Sequence, residues 1–472
     1  MRSYPMFEHA QGSFFRFTVW IDQTHTSMTA EFIANMIGTI SWGDGSETEV
    51  SSTGSRSYSH MYNSEGTYYV KLTGKIYGLR FGVVNTSNLA PYTLISIDTP
   101  FPPLPEDAQR PYGISLREMF YRCQNLRYLP TGLFKNYRED GIRFNSMYRM
   151  FGYCSSLVSL PEDLFVGLHF GSGTGDYAKS CESMFYGCSS LISLPPKIFD
   201  NPELAYFENT YRMFNRCSSL YDVPEHLLDY LANSTTCYQM FYQCTSLRRI
   251  PEGMFQGFKS ETFYGCFNDC SSLVEVPDAC FKGCSMATTF QLCFDGCSSV
   301  RSIAADAFEG CYAVTNFGYA FRRCAVTSIP SGLFDDCSAV TSFAGVFSYC
   351  PLTSIPESMF EHCPNVTNVG AAFYGTHITS IPVLLFDNCS LLSDCERTFY
   401  ECDYLLSIPS SLFDNCPNIS NFRETFSGCR AVVSAVPELW VSYPGINSYY
   451  SYDCFASCTN ALNYADIPAA WR

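Results

Sequence analysis

The sequence predicts a repeat solenoid of about a dozen stacked coils, preceded by a small domain of short β-strands. Three observations carry this expectation. A phenylalanine recurs at a nearly constant interval, all 25 cysteines fall between Cys123 and Cys458, and the segment before them alternates like half-buried strands. The chain has 472 residues, more than one ordinary core accommodates, and a repeat array solves this by spreading the core along one axis. With 46% hydrophobic and only 16% charged residues, it has the apolar content to fold.

The repeat comes first. Phe120, Phe151, Phe185, Phe214, Phe241, Phe267, Phe294, Phe321, Phe347, Phe373, Phe399, Phe426 and Phe455 open thirteen copies of Phe-x-x-Cys. From Phe214 to Phe426 the interval is 26 or 27 residues; the two intervals from Phe120 to Phe185 are longer, at 31 and 34. Within each copy a Leu or Val follows the cysteine, then Ile or Leu, usually Pro, then a second Leu/Met-Phe, as in Cys324-AVTSIPSGLF-Asp335. The LxxIP text is short and closed by proline, which predicts a brief strand. The other half, such as VTSFAGVFSYC, predicts a helical turn or a second short strand. No single unit can bury its Leu, Ile and two Phe positions; stacking places like on like.

A period of 26–27 lies in the leucine-rich-repeat range, giving parallel strands with helical or irregular convex segments. The MFxxCxxLxxLPxxLF text resembles the BspA-type leucine-rich repeats of bacterial surface proteins, over about Ser115 to Cys458. Thr376, Leu228 and Ala304 depart from it without breaking the period. The resemblance implies a solenoid used for adhesion or ligand binding, without enzymatic activity.

Before the repeats, SFFRFTVWID, GTISWGDGSETEV, SRSYSHMY and GTYYVKLTGKIYGLRF read as strands parted by Gly, Ser and Asn turns, which predicts an immunoglobulin-like β-sandwich. Trp42-Gly43-Asp44-Gly45-Ser46, His60-x-Tyr62 and Gly66-Thr67-Tyr68-Tyr69-Val70 together resemble a PKD-type domain. Asp44 reads as a turn residue accepting backbone hydrogen bonds rather than as a calcium ligand, and His60 as structural. The expected division is 1–88 for the sandwich, 89–114 for a Pro-rich junction and cap, 115–429 for the solenoid and 430–472 for a terminal coil and C-terminal cap.

Chemistry is sparse. Most cysteines stand at Phe-x-x-Cys positions, which the stack explains as a ladder of buried thiols; some bridges between neighbouring coils stay open. The CxxxC pairs Cys266/Cys270, Cys280/Cys284, Cys293/Cys297 and Cys454/Cys458 have no histidine near them, so no metal and no cofactor are expected. There is no phosphate-binding glycine loop, nucleophile elbow or HExxH, and no catalytic residue is assigned. The net charge of −16, with no Lys/Arg run, disfavours nucleic-acid partners. The N-terminal text shows no secretion signal, and no stretch approaches the roughly 18 apolar residues of a membrane span, so no membrane insertion is expected.

Surface positions remain. Tyr121, Tyr186, Tyr242, Tyr374 and Tyr400 follow the coil phenylalanine and should face outward or lie across adjacent coils. Ahead of the strand Ile, later coils place Ser302, Ser328, Ser354, Ser380 and Ser407, whereas middle coils place Asp222, Arg249 and Glu275. That charged break is one expected ligand site. The other is the excess length of the two long coils, 135–147 and 166–180, expected to leave the stack as loops offering Tyr137, Arg138, Arg143, His169, Phe170 and Tyr177. The expected partner is a protein or glycan on a cell surface, with the chain on a bacterial surface or a phage particle; the alternative is a structural virion protein contacting its neighbours.

Overall fold

The computed structural model describes residues 14–22, 29–51, 54–82, 93–108, 114–171 and 178–472. Six strands, β1 (Phe14–Ile21), β2 (Thr29–Ser41), β3 (Glu47–Val50), β4 (Arg56–Met61), β5 (Gly66–Arg80) and β6 (Leu94–Ile97), form one antiparallel sheet in the order β3-β2-β5-β1-β6. β3 pairs with the end of β2 and β4 with its beginning, so both share one edge. A second sheet facing this one, which an immunoglobulin-like sandwich requires, is not among the described residues. The long β2 and β5 cross closely at Gly38 and Gly74, where a Cβ on Gly38 would stand 1.9 Å from the Thr73 carbonyl oxygen.

The remainder is a stack of coils sharing one hydrophobic core with the sheet. The repeated phenylalanines form its axis. Phe267, Phe294, Phe321 and Phe347 lie ring over ring at 5.4 Å with tilts of 5–8°. The series extends upward to Phe120, and Phe373, Phe399, Phe426 and Phe455 stack in the same way at 5.4–5.5 Å in the last coils. The rings stack equally well across the 31- and 34-residue coils, at 5.3 and 5.5 Å, so the column fixes where each phenylalanine sits and extra residues are accommodated elsewhere in the coil.

The corner holding each phenylalanine has an unusual backbone. In all thirteen copies the residues two before and two after it have positive φ, from Glu118 (55°) and Arg122 (65°) to Asp453 (54°) and Ser457 (66°). Most are not glycine, although left-handed residues carry a steric cost. Hydrogen bonds explain their persistence. Gly265, Phe267 and Asp269 donate N–H to the next coil's Gln291, Cys293 and Asp295 carbonyls, while Cys266, Asn268 and Cys270 donate to carbonyls three residues back in their own coil. Every donor of the corner is thereby satisfied, half between coils and half within.

Both half-coils carry parallel pairing. Glu275–Val276 (β10) pairs with Ser302–Ile303 (β11), and Ser380 bridges Ser407, so the LxxIP text pairs as a strand in these coils, whereas in others a single backbone bond such as Arg248 N–H to Tyr221 O joins neighbours. The longer unbroken ladder runs through the other half, from Thr262 through Thr289, Asn316, Ser342, Asn368 and Asp394 to Asn421. Beside it, Thr288, Thr315, Thr341 and Thr367 each donate a hydroxyl to the preceding coil's carbonyl at 2.9–3.1 Å.

The two long coils differ from expectation. Their excess forms a helix α1 (Lys135–Glu139) and the strands β8 (Arg143–Ser146) and β9 (His169–Phe170), joined with β7 (Ile114–Ser115) in a parallel sheet β7-β8-β9. The described part of the insertions therefore widens the stack instead of leaving it.

Candidate recognition surface

In each LxxIP strand the two residues between the buried Leu and the buried Ile point to solvent. Backbone bonds from Arg248 to Tyr221 and from Val274 to Arg248 put these residues on neighbouring coils in a row. Tyr221, Asp222, Arg248, Arg249, Val274 and Glu275 are all exposed. The expected charged break is thus one contiguous face, with acidic, basic and acidic residues on successive coils. The Arg248 guanidinium lies 5.2 Å over the Tyr221 ring, which holds an otherwise mobile cation in place. Just beyond the row, a cleft of about 610 Å³ is lined by residues 224–229 and 251–256, among them His226, Asp229 and Glu252. It opens where Leu228 stands in place of a coil phenylalanine and the backbone turns into a short 3-10 segment, Asp229–Leu231.

The insertion residues divide. Arg143 is exposed and pairs directly with the partly exposed His169, whose Nδ1 lies 3.5 Å from Glu203. Arg138 is turned inward, donating from Nη2 to the Asp163 carbonyl at 2.8 Å. Tyr137 and Phe170 correct the expectation of surface contacts: both are buried. Tyr137 packs on Phe101 at 5.9 Å and Phe170 on Phe207 at 5.3 Å, because the widened stack needs aromatic filling. Tyr177 lies outside the described residues, as does the 172–176 part of the glycine-rich run.

All 25 cysteines are unbridged and buried. Their thiols are hydrogen-bond donors as well as apolar filling. Cys297 Sγ donates to the Phe267 carbonyl at 3.1 Å and Cys324 to Phe294 at 3.2 Å, so these Phe-x-x-Cys thiols bond the phenylalanine carbonyl of the preceding coil. Thr376, which replaces one of these cysteines, departs from the pattern: its hydroxyl donates at 2.9 Å to the Phe373 carbonyl of its own coil. Burial pushes the Cys237 and Cys311 thiols up to about 12, which leaves them non-nucleophilic.

In the sheet, Asp44 accepts from the Ser46 hydroxyl at 2.5 Å and backbone N–H at 3.0 Å, and contacts His60 Nε2 at 2.7 Å. These partners, Ser46 first, hold its carboxyl below the usual range. His60 is stacked on Trp42 at 4.9 Å, so the trio is a braced turn.

The tyrosines after the coil phenylalanine lie across their neighbours, as Tyr374 does between Tyr349 at 4.6 Å and Tyr400 at 4.9 Å. Further aromatic and basic residues at fixed offsets from the phenylalanine, Tyr153, Tyr211, Arg149 and Arg212, join this surface, with Arg149 lying over the buried Tyr148. Reading only the residue after each phenylalanine misses them; their signal was the offset of three before, two before and two after.

Compared with known proteins, residues 232–341, 267–393 and 301–432 match the BspA type leucine rich repeat region, in six copies. Residues 232–432 therefore carry BspA-type leucine-rich repeats. A search of curated proteins gave no match. Among solved structures, the chain is similar to one in the Toll–Spatzle complex of Drosophila, at 16% identity and a TM-score of 0.24, covering 62% of this chain and 38% of that one. It is also similar to one in the TLR13–ssRNA13 complex, at 10% identity and a TM-score of 0.17, covering 68% and 55%. This chain thus spans well under two thirds of either relative. No helix among the described residues is long and apolar enough to cross a membrane.

Proposed function

We propose that the chain is a non-catalytic recognition protein, engaging a protein or glycan through the exposed face of its solenoid, at a bacterial surface or on a phage particle. The contiguous row from Tyr221 to Glu275, with its adjoining cleft, is the observation that carries this reading. It combines an aromatic ring, two arginines and two carboxylates on a rigid frame, and such a mixture favours specific recognition over packing. Exposed Val158 and Ile192 extend the row by two coils. Arg143 and His169 form a second contact area on the wide coils. The braced turn from Trp42 to Ser46 supports reading the N-terminal sheet as a PKD-like module.

Binding of the labelled full chain to a panel of intact bacteria and to a glycan array tests this. Arg249→Glu combined with Tyr221→Ala should reduce binding at least about tenfold, since each is an anchor of the row. Undiminished binding by the folded variant would remove the row as the site, and failure of the parent chain to bind any panel member would sink the recognition reading.

A further inference from the structure

A second surface, formed by the corners of the first coils, has a distinct chemistry. Tyr153 lies 5.8 Å from Tyr121 and 5.0 Å from Tyr186, and Tyr211, Tyr238 and Tyr264 continue as parallel rings 5.0 and 4.9 Å apart. Arginines are interleaved with them. Arg149 lies 5.7 Å over Tyr121 and 4.8 Å over Tyr148, and Arg212 lies 4.9 Å over Tyr211. Between them a cavity of about 120 Å³ is lined by Tyr153, Tyr186, Tyr211, Arg149, Arg212 and Glu182. Glu182 is half-buried; its Oε2 accepts from Asn209 at 3.2 Å, and burial outweighs the two guanidiniums to raise its proton affinity.

We propose that this groove binds a polysaccharide bearing carboxylates, with a uronate meeting the Arg149 and Arg212 guanidiniums and the C–H faces of its sugars lying on Tyr153 and Tyr186. A guanidinium stacked on an aromatic ring keeps the N–H donors of its edge, which match a planar carboxylate in a paired geometry. Aromatic rings give sugars a broad apolar face at small entropic cost. Glu182 and the tyrosine hydroxyls supply partners for sugar hydroxyls. Because tyrosine rings recur on successive coils from Tyr121 to Tyr264, a polymer gains contacts along the stack that a monosaccharide cannot. Single-stranded nucleic acid would use the same residue types, but Glu182 at the centre of the groove accepts hydrogen bonds from free sugar hydroxyls, which a phosphodiester-linked deoxyribose chain lacks.

The groove and the strand-face row use different residues, so the two readings fail separately: loss of cell binding in Arg249→Glu leaves the groove intact. The experiment is calorimetric titration of the full chain with polygalacturonate, alginate and hyaluronate, against a neutral cello-oligosaccharide and oligo(dT). Arg149→Gln is a safe variant, because Gln239 occupies the equivalent corner position with φ 50° against 51° for Arg149. Tyr153→Gln is equally safe, since Gln243 is its counterpart (58° against 62°). Tighter binding of at least one uronate polymer than of the neutral sugar is expected, weakened about tenfold or more in Arg149→Gln and by salt. Binding to none of the three polymers, equal affinity for the neutral sugar, preference for oligo(dT), or an unchanged affinity in both variants with unaltered melting would overturn the proposal.

Discussion

Phe321 shows what one residue contributes to a stacked core. Its ring is fully buried between Phe294 and Phe347, and Phe308 meets it edge-on at 6.2 Å. Phe321→Ala removes both stacked partners' contact, and a rigid stack cannot collapse to fill the space. A loss of about 3–5 kcal/mol is expected in urea unfolding, and an unchanged midpoint would place the ring outside the core. The thiols give a second expectation at this scale. Burial disfavours the thiolate, so a thiol reagent should react with almost none of the 25 cysteines in the native chain and with nearly all after denaturation without reductant. Asp44 gives a third. Its carboxyl is held below its unfolded range, so its contribution to stability is present above about pH 4 and is lost as pH falls below that toward the lowered native range. Asp44→Asn should cost on the order of 1 kcal/mol near neutrality, and the gap between variant and parent should narrow with acid. A gap independent of pH would assign the loss to shape instead of charge.

At the scale of elements, the widened coils separate what the sequence discloses from what it conceals. The coil interval and the identity of the stacking rings were legible because a fixed spacing has one geometric solution. The strand in LxxIP was legible from its proline and apolar spacing. The left-handed corners were not: Arg149, Gln239 and Arg397 have no local preference for positive φ, and the hydrogen bonds between coils impose it. The excess of the long coils was misread because length was weighed above pattern, although Phe134, Tyr137 and Phe144 already mark an inward face. The charged row was legible as a break in the serine series, whereas the arginine–tyrosine groove emerges only when residues from several coils are brought together. The misreading has a direct test. Tyr137→Ala should cost about 3 kcal/mol, while Arg143→Ala, exposed on the same insertion, should stay within about 0.5 kcal/mol. Equal, small effects in chemical denaturation would return Tyr137 to the surface.

On the scale of the whole molecule, the N-terminal sheet closes the stack that follows it. A solenoid's first coil exposes an apolar face unless something covers it. Here the Phe81 ring, just past β5, lies on Phe120 at 5.8 Å and a 5° tilt, as if it were one more coil. Phe101 does the same for the second column, between Phe15 at 5.0 Å and Phe134 at 5.5 Å. The Met119 carbonyl, which no coil above could serve, accepts from both Phe81 and Gly82 N–H at 2.8 Å, and Arg80 Nη2 pairs with the buried Glu118 at 2.8 Å. Gly82 permits this approach: a Cβ there would lie 2.0 Å from Glu118 O and 2.4 Å from Tyr121 N, both backbone atoms that cannot swing aside. Gly82→Val should therefore part the sheet from the first coil without unfolding the middle of the array, since each coil depends chiefly on its neighbours. In hydrogen exchange followed by mass spectrometry, amides of residues 114–171 should exchange faster than in the parent, while those of 267–426 keep their protection. Equal protection throughout would show that the sheet is not a cap, and loss of protection along the entire chain would show that the stack and the sheet unfold as a single unit.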